Sequence, residues 1–236
     1  MRSSVWTREQ RPPRENLSRA QIVRAAVDLL DEEGLAGLSM RKLAVRLSSA
    51  ATSLYWYVET KDDLLEYVID EIYDEVDVPG AELAGWRSGA TLFAHSLRAT
   101  VLRHPWFAGV ISSRASIGPN AMSLSSRAMA LLGAAGFTGE DLDYAVSALV
   151  SYVLGTAGVE AAWRTSVNAS GKTLGEWVDE ARAQAIRAAG GEYPEVTEHL
   201  AQWQGADPHQ VQSASFTFGL ECLLDGIEAR LRRGPA

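Results

Sequence analysis

The sequence has little cysteine and no long uncharged apolar segment. Its single cysteine, Cys222, excludes an intrachain disulfide framework and fits a reducing compartment. Residues 1–20 lack the apolar core of a signal peptide. The longest uncharged stretch, 145–159, covers about fifteen residues, which is short of the roughly 20 needed to cross a bilayer. We therefore expect a cytoplasmic protein without a membrane partner.

Sequence signatures of catalysis are also absent. We find no nucleophile elbow, P-loop, dinucleotide fingerprint or metal-binding helix pair. The four histidines have no metal-ligand spacing and no cysteine partners. The carboxylate pair Asp141 and Asp143 lies at a predicted helix N-terminus, where acidic residues are expected anyway. We therefore expect neither an enzyme nor a bound metal or cofactor.

The charge is distributed unevenly along the chain. The net charge is −8, but residues 1–58 hold nine Arg/Lys against six acids, so this part carries +3 and the remainder −11. This asymmetry suggests a basic head that can face phosphates and an acidic body that cannot. Arg8, Arg11 and Arg14 surround a Pro-Pro pair, which predicts a flexible basic arm over residues 1–16. A solvated tail without a role in binding is the alternative.

The pattern predicts an all-α protein with a small head, residues 17–78, and a larger body, residues 79–236. Ser18 with Gln21 forms a capping box, and Ser39 and Thr60 are further N-caps. The helices predicted from these caps cover residues 19–33, 40–47, about 50–57, and 61–77. Three compact helices, the last two short and joined by a tight turn, make a helix-turn-helix arrangement.

The second helix of that pair can lie in the major groove of DNA, where base edges are distinguishable. Thr52 and Ser53 can then reach bases, and the hydroxyls of Tyr55 and Tyr57 can reach phosphates. Lys61 begins the next helix, close to where another phosphate could pass. The alternative is that Tyr55 and its neighbour Trp56 only pack the core of the head.

A family resemblance rests on residues 22–65, IVRAAVDLLDEEGLAGLSMRKLAVRLSSAATSLYWYVETKDDLL. This stretch resembles the DNA-binding domain of the tetracycline-repressor (TetR) family of bacterial transcription regulators. Two segments of the body, LLGAAGFTGEDLDYAVSALVSYVLGTAGVE and FTFGLECLLDGIEARL, resemble the regulatory domain of tetracycline-repressor-like members. The resemblance implies a dimeric repressor that binds a palindromic operator and is released by a small organic molecule. A ligand-independent architectural DNA-binding protein and a transcriptional activator are the alternatives.

The resemblance also implies which residues contact DNA. They are Ser39, Arg41, Ala51, Thr52, Ser53, Tyr55, Trp56, Tyr57 and Lys61. Where the family usually has Gly-Val in the turn, this chain has Ser48-Ser49. A left-handed backbone at serine would be strained, because only glycine adopts it freely.

The body is predicted to be helical over residues 86–103, 119–135, 139–164, 172–189 and from Pro208 onward. Thr138 with Asp141 predicts a capping box, and Asp207 an N-cap. The polar segment 165–173 is predicted to be a loop.

Two helices of the body carry apolar residues on more than one face, 142–159 and 211–231. Pairing with their copies in a second subunit would give an isologous four-helix interface, as the resemblance implies. Full burial within a monomer is the alternative. The candidate dimerisation residues are Leu149, Gly155, Phe216, Leu220, Leu223 and Ile227, with Cys222 as a core or interface residue.

The aromatic residues of the body, with a few polar groups, are typical of the walls of a ligand pocket. The resemblance places this pocket among Phe93, His95, Leu97, Trp106, Phe107, Ile111, Arg114, Met122, Tyr152 and Trp163, and Trp177 is a further candidate because it is aromatic. Each of these could instead be an ordinary core residue. Ile111 and Arg114 stand where tetracycline repressors bind a metal–drug chelate, so a metal-free ligand is expected. Arg114 would favour an anionic oxygen on that ligand.

Overall fold

The structure is a computed structural model that describes residues 4–7, 17–111 and 116–233. These residues contain a short 3-10 helix, Val5–Thr7, eleven α-helices and no β-strand, so the all-α prediction is confirmed. The helices are α1 (Arg19–Gly37), α2 (Met40–Arg46), α3 (Ala51–Leu54), α4 (Lys61–Asp74), α5 (Ala81–Arg103), α6 (Phe107–Ile111), α7 (Pro119–Gly133), α8 (Gly139–Ser170), α9 (Leu174–Ala189), α10 (Pro194–Gln202) and α11 (Pro208–Arg233).

The head consists of α1, α2 and α3 packed around a small apolar core. Ile22, Leu43 and Leu54, one from each helix, are fully buried, and each such side chain stabilises the fold by roughly 1.5–3 kcal/mol. The predicted capping box is present, because Gln21 N donates to Ser18 Oγ (3.2 Å) and Ser18 N donates to Gln21 Oε1 (2.8 Å). The N-terminal signals of the head therefore act as the sequence predicted.

The third helix is shorter than predicted. It ends at Leu54, and the next residues form a tight turn in which Trp56 N donates to Ser53 O (3.3 Å) and Tyr57 N donates to Leu54 O (2.9 Å). The preceding turn contains Ser48 with φ of +47°, the left-handed conformation that is strained without glycine. The three consecutive rings therefore lie on a turn that begins at the end of α3.

Helix α4 connects the head to the body. It packs against α1 on the side of the head and against α7 and α6 on the side of the body. Thr60 Oγ1 accepts a hydrogen bond from Asp63 N (3.1 Å), as its predicted N-cap role requires. The fully buried Leu64, Val68 and Ile72 form its apolar stripe. A shift of α4 would therefore change its packing against both the head and the body.

The body is built on α5, α7 and α8, with α11 against α8 and α5. Helix α8 extends to Ser170, so the predicted loop at 165–173 was wrong over most of its length. The hydroxyls of Thr165 and Ser166 donate to the carbonyls of Ala161 and Ala162, four residues earlier, so these polar groups are satisfied within the helix. Gly171, with φ of +69°, ends the helix.

Two N-caps were predicted for helices of the body, at Thr138 and at Asp207, and only the second is present. Thr138 makes no capping hydrogen bond, because Gly139 follows it with φ of +56° and turns the chain away from the expected geometry. Asp207 does cap α11, since its Oδ1 accepts from His209 N (2.9 Å). Helix α10 was not predicted.

A buried ion pair joins α5 to α8. Arg98 donates to Glu160 Oε2 from Nε (3.0 Å) and Nη2 (2.6 Å), and Arg164 donates to Glu160 Oε1 (2.9 Å).

By length and mean hydropathy α8 could also cross a membrane. Within this chain its inner face packs against α5, α7 and α11, as that of a core helix does.

Residues 4–7 do not behave as part of a flexible arm. Val5 is buried, the Ser4 hydroxyl and Val5 N donate to Glu66 on α4, and the Trp6 ring packs edge-on against Tyr67 at 5.0 Å between centroids. The prediction for residues 1–16 was therefore wrong for this segment. Arg8, Arg11 and Arg14 lie outside the described residues.

Candidate nucleic-acid interface and ligand cavity

The head exposes a small polar surface at α3. Thr52 and Ser53 are exposed on the helix, and Tyr55 follows with 46% of its surface exposed. Trp56 and Tyr57 are half-buried, and Tyr57 packs against the core of the head. The half-buried Ala51 also packs there. The exposed surface at α3 and the turn after it therefore consists mainly of the hydroxyl groups of Thr52 and Ser53 and the side chain of Tyr55.

The cations of the head differ in how firmly they are held. Lys42 pairs with Glu33, and Arg46 pairs with Glu32 at 2.6 Å. Arg41 is exposed and forms no ion pair with any described residue. Ser39 is the N-cap of α2, the helix that contains Arg41, and its Oγ accepts a hydrogen bond from Lys42 N. Arg41 can therefore meet a phosphate without first breaking an ion pair with a described residue.

Lys61 is positioned by the head itself. Its Nζ donates to the carbonyl of Leu35 at 3.2 Å, and its side chain is half-buried. The ammonium thus stands at the N-terminus of α4, where it ties α4 to the end of α1. Within the part of the chain that the structure describes, this is its one hydrogen bond, so two of its three donors can meet a phosphate oxygen.

The body contains a cavity of about 120 Å³ bounded by α4, α5, α6, α7 and α8. Its described lining comprises Tyr73, Phe93, Leu97, Ile111, Ser116, Ala121, Leu124, Ser125, Ala128, Val146, Val150 and Leu154. Most of this lining is apolar, and none of it is charged. A molecule in this cavity would touch the helix that connects the body to the head, because Tyr73 belongs to α4.

The polar groups of the cavity cluster at its α4 side. The Tyr73 hydroxyl lies 2.7 Å from Ser116 Oγ. Burial raises the pKa of Tyr73 above its usual value, and the negative charge of Asp70 acts in the same direction while the hydrogen bond with Ser116 opposes them. The phenol therefore remains neutral near pH 7 and can donate one hydrogen bond.

A polar joint next to the cavity fastens α4 to α7. The buried carboxylate of Asp70 accepts from the backbone N–H of Asn120 (3.3 Å) and of Ala121 (3.0 Å), and Asn120 Nδ2 donates to Asp70 O (3.1 Å). Burial raises the pKa of Asp70, although the two N–H groups favour its charged form. Gly118 leaves the space for this contact, since a Cβ there would lie 2.1 Å from Asp70 Oδ1.

The predicted ligand residues separate into several places. Phe93, Leu97 and Ile111 line the cavity. Arg114 lies outside the described residues. Phe107 is fully buried against Tyr73, with ring centroids 5.5 Å apart, and does not reach the cavity.

Other predicted ligand residues face elsewhere. Trp106 is buried, and its Nε1 donates to Asp31 Oδ1 on α1 at 2.7 Å. His95 and Tyr152 face α11, where both rings pack against Phe216. Met122 is 61% exposed on α7. The sequence pattern could not show which of these side chains turn towards the cavity.

Trp163 and Trp177 lie in a second, open depression, which we call the tryptophan groove. Their rings are 5.8 Å apart, and Trp203 and Phe218 complete its aromatic lining. The groove has a volume of about 780 Å³ between α8, α9, α10 and α11, and it shares no lining residue with the cavity. Neither tryptophan therefore lines the cavity next to α4.

The candidate dimerisation residues are mostly buried inside the subunit. Leu149, Phe216, Leu220 and Ile227 belong to its own core, so a partner could cover almost none of their surface. Gly155 is exposed and Leu223 is half-buried. The apolar surface that α8 and α11 do present consists of Tyr144, Val159, Trp163 and Phe218, together with the exposed Cys222.

Several cavity residues were missed in the sequence. Val146, Val150 and Leu154 recur at intervals of four on α8, which is the spacing of one helix face and could have identified this wall. Tyr73 has no comparable signal, because its position on α4 resembles that of any core residue. Its role as a wall depends on the packing of α4 against α7.

Comparison with known proteins covers most of the chain. Residues 22–68 match the family model described as "Bacterial regulatory proteins, tetR family", and residues 78–231 match "Tetracyclin repressor-like, C-terminal domain". An HTH-type transcriptional regulator of Saccharopolyspora erythraea is 37% identical, covering 96% of this chain and 92% of its own. The HTH-type transcriptional repressor DrrR1 of Streptomyces coeruleorubidus is 33% identical, covering 98% and 87%.

Solved structures extend the likeness to three dimensions. The TetR family protein ActR of Streptomyces coelicolor, in complex with actinorhodin, is similar to this chain with a TM-score of 0.75 and 30% sequence identity. The match covers 90% of this chain and 96% of ActR.

Proposed function

The chain belongs to the TetR family of bacterial transcription regulators, and we propose that it represses transcription until a small aromatic molecule enters the body cavity and releases it from DNA. The proteins compared above are named as transcriptional regulators, and ActR binds actinorhodin. A ligand-responsive repressor is the function that agrees with both the head and the cavity. We place it in the cytoplasm, where its DNA is accessible.

The head supplies the DNA contacts of this proposal. Thr52 and Ser53 face outward from α3 and can reach base edges in the major groove. Arg41, Tyr55 and Lys61 can contact phosphates, which fix the register of the head but carry no sequence information. With few polar groups on α3, we expect direct readout at only a few base pairs in each half-site.

The ligand proposed for the cavity is flat, mainly apolar and uncharged at its α4 end. The described lining offers hydroxyls from Tyr73, Ser116 and Ser125 and no charge, which suits carbonyl or hydroxyl oxygens on an aromatic ring system. Actinorhodin, the ligand of ActR, is a suitable first probe of this class.

The size of the cavity indicates how a ligand would act. Pockets for drug-sized ligands have volumes of roughly 300–1,000 Å³, whereas this cavity has about 120 Å³. We therefore infer that a drug-sized ligand pushes its walls apart. The single observation that carries the proposal is that Tyr73 of α4 is one of these walls.

A displacement of this wall would reach the head directly. The Asp70 joint fixes α4 to α7, Asp77 N donates to Ser96 Oγ on α5 (2.8 Å), and Lys61 ties the other end of α4 to α1. A shift of α4 would change the separation of two heads in a dimer. Half-sites one helical turn apart, about 34–36 Å, tolerate little error in that separation.

We propose a homodimer formed through the outer faces of α8 and α11. Val159 and Phe218 are 56% and 70% exposed, and the tryptophan groove continues this apolar surface. A second copy related by a two-fold axis would bring the same residues against each other. We therefore assign the groove to the subunit interface and the cavity to the ligand.

DNA selection from the source genome, followed by release of the recovered fragment, tests this function. Fluorescence anisotropy should show binding to a palindromic fragment and loss of binding as actinorhodin, or a compound made by neighbouring genes, is added. Tryptophan fluorescence should change over the same concentration range. Specific binding that no aromatic compound of this class reverses would leave an architectural DNA-binding protein as the better account.

A further inference from the structure

His104 occupies an unusual position between head and body. It caps the C-terminus of α5 and is only 4% exposed. Its Nδ1 lies 2.7 Å from Asp31 Oδ1 on α1, and its Nε2 lies 3.1 Å from Glu75 Oε2 at the end of α4. One imidazole therefore connects the head, the connecting helix and the body.

The two partners of this ring are both carboxylates. A neutral imidazole has one N–H and one lone pair, so it can donate to only one carboxylate and must face the other with its lone pair. An imidazolium donates to both. Each ring nitrogen lies within hydrogen-bonding distance of a carboxylate oxygen, an arrangement that a protonated ring satisfies at both nitrogens.

The remaining charged and polar groups at this junction agree with that reading. In the described part of the chain, Arg103 on α5 pairs with Glu75 and adds one positive charge, while Trp106 donates its indole N–H to the same Asp31 oxygen. Burial alone would lower the pKa of His104. The hydrogen bonds and charges of Asp31 and Glu75 outweigh it and raise that pKa above its usual 6.5.

We propose that His104 is a proton-dependent latch that holds the head and α4 against the body. When the ring loses its proton to solvent, one of the two carboxylates loses its hydrogen bond from the ring and faces a lone pair instead. The contact at that carboxylate is then repulsive, and the head is held less firmly. The proton is in this sense a second effector, acting on the same connecting helix as the ligand but at a separate place.

The direction of the pH effect follows from the raised pKa. The folded chain keeps the proton at pH values where an unfolded histidine has lost it. The stabilisation is therefore complete below about pH 6.5 and is lost as the pH rises through the folded pKa. Within that window, one additional bound proton changes the folding equilibrium constant by up to tenfold per pH unit.

Urea unfolding from pH 5.5 to 9, at one protein concentration, is the first measurement. We expect the stability difference between wild type and His104→Gln to shrink as the pH rises. His209→Gln is the matched control, because His209 is exposed, and it should follow the wild-type profile. A His104→Gln protein with the same pH profile as wild type would overturn the latch.

NMR titration of the His104 ring keeps the proposal testable if His104→Gln does not fold. We expect His104 to titrate above 6.5, and Asp31→Asn to move its titration to lower pH. With DNA recovered by selection, the ratio of affinities at pH 6.5 and 8.5 should differ from one in wild type and approach one in His104→Gln. Titration of His104 at or below 6.5, or equal affinity ratios in the two proteins, would refute the proposal.

Discussion

Replacing Gly118 by alanine should wedge α4 away from α7. The new Cβ would lie 2.1 Å from Asp70 Oδ1 and 2.3 Å from its Cγ, while an ordinary contact needs 3.4 Å or more. The two helices must therefore separate by about 1.3 Å, or the Asp70 carboxylate must leave the N-terminus of α7. The backbone of Gly118 suits alanine, since φ is −71° and ψ is 165°, so the effect is purely steric.

The cost of this wedge can be estimated from overpacked cores, where such changes destabilise by about 1–3 kcal/mol. For a chain of this size, about 2 kcal/mol lowers Tm by roughly 4–8 °C. Because the wedge acts on α4, operator affinity in the absence of ligand should fall as well, and the response to ligand should weaken. Thermal melting and anisotropy with the selected operator fragment measure both effects.

Gly133→Ala is the matched control on the same helix. Nothing lies within 4 Å of a Cβ at Gly133, so this change should leave operator binding intact and keep Tm at or slightly above the wild-type value. If Gly118→Ala instead melts within about 1 °C of wild type and releases DNA normally, the joint between Asp70 and α7 does not couple the two domains.

Three further substitutions test separate parts of the account. Arg41→Ala should reduce the slope of log affinity against log salt by about one per subunit, whereas Arg187→Ala in the body should leave it unchanged; equal slopes would remove Arg41 from the DNA interface. Phe218→Glu should convert a dimer to a monomer in sedimentation velocity, and Leu83→Glu, on an exposed apolar residue of α5, should not; a dimer in both would place the interface elsewhere. Arg98→Ala should cost about 3 kcal/mol, or roughly 6–12 °C in Tm, because it removes a partner of a buried carboxylate; an unchanged Tm would show that the remaining arginine suffices.

Local signals in the sequence were sufficient for much of the helical framework. The caps at Ser18, Ser39 and Thr60 depend on contacts within three residues, and all three form as predicted. The polar segment 165–173 misled for the opposite reason. Its hydroxyl-bearing residues are typical of a loop, but the hydroxyls of Thr165 and Ser166 donate hydrogen bonds to carbonyls of their own helix.

The positions of candidate site residues depended on long-range contacts that no local pattern contains. Trp106 was expected in the ligand pocket because it is aromatic, but its indole N–H is directed to Asp31, which is 75 residues earlier. The latch at His104 arises from the same meeting of α1, α4 and α5. Tyr73 was likewise indistinguishable from a core residue until α7 was placed beside it.

A release titration of two variants tests the central claim most directly, namely that a ligand in the cavity moves α4 and frees the DNA. Ala128→Leu fills the cavity from α7, because Ala128 is buried in the cavity lining. Trp163→Ala enlarges the tryptophan groove and leaves the cavity lining unchanged. We expect Ala128→Leu to bind the operator normally but to need at least about tenfold more compound for half-release, which corresponds to about 1.4 kcal/mol. Trp163→Ala should release as wild type does, once sedimentation velocity has shown that this variant is still a dimer. A wild-type release curve for Ala128→Leu together with loss of release in Trp163→Ala would contradict the account and assign the ligand to the groove.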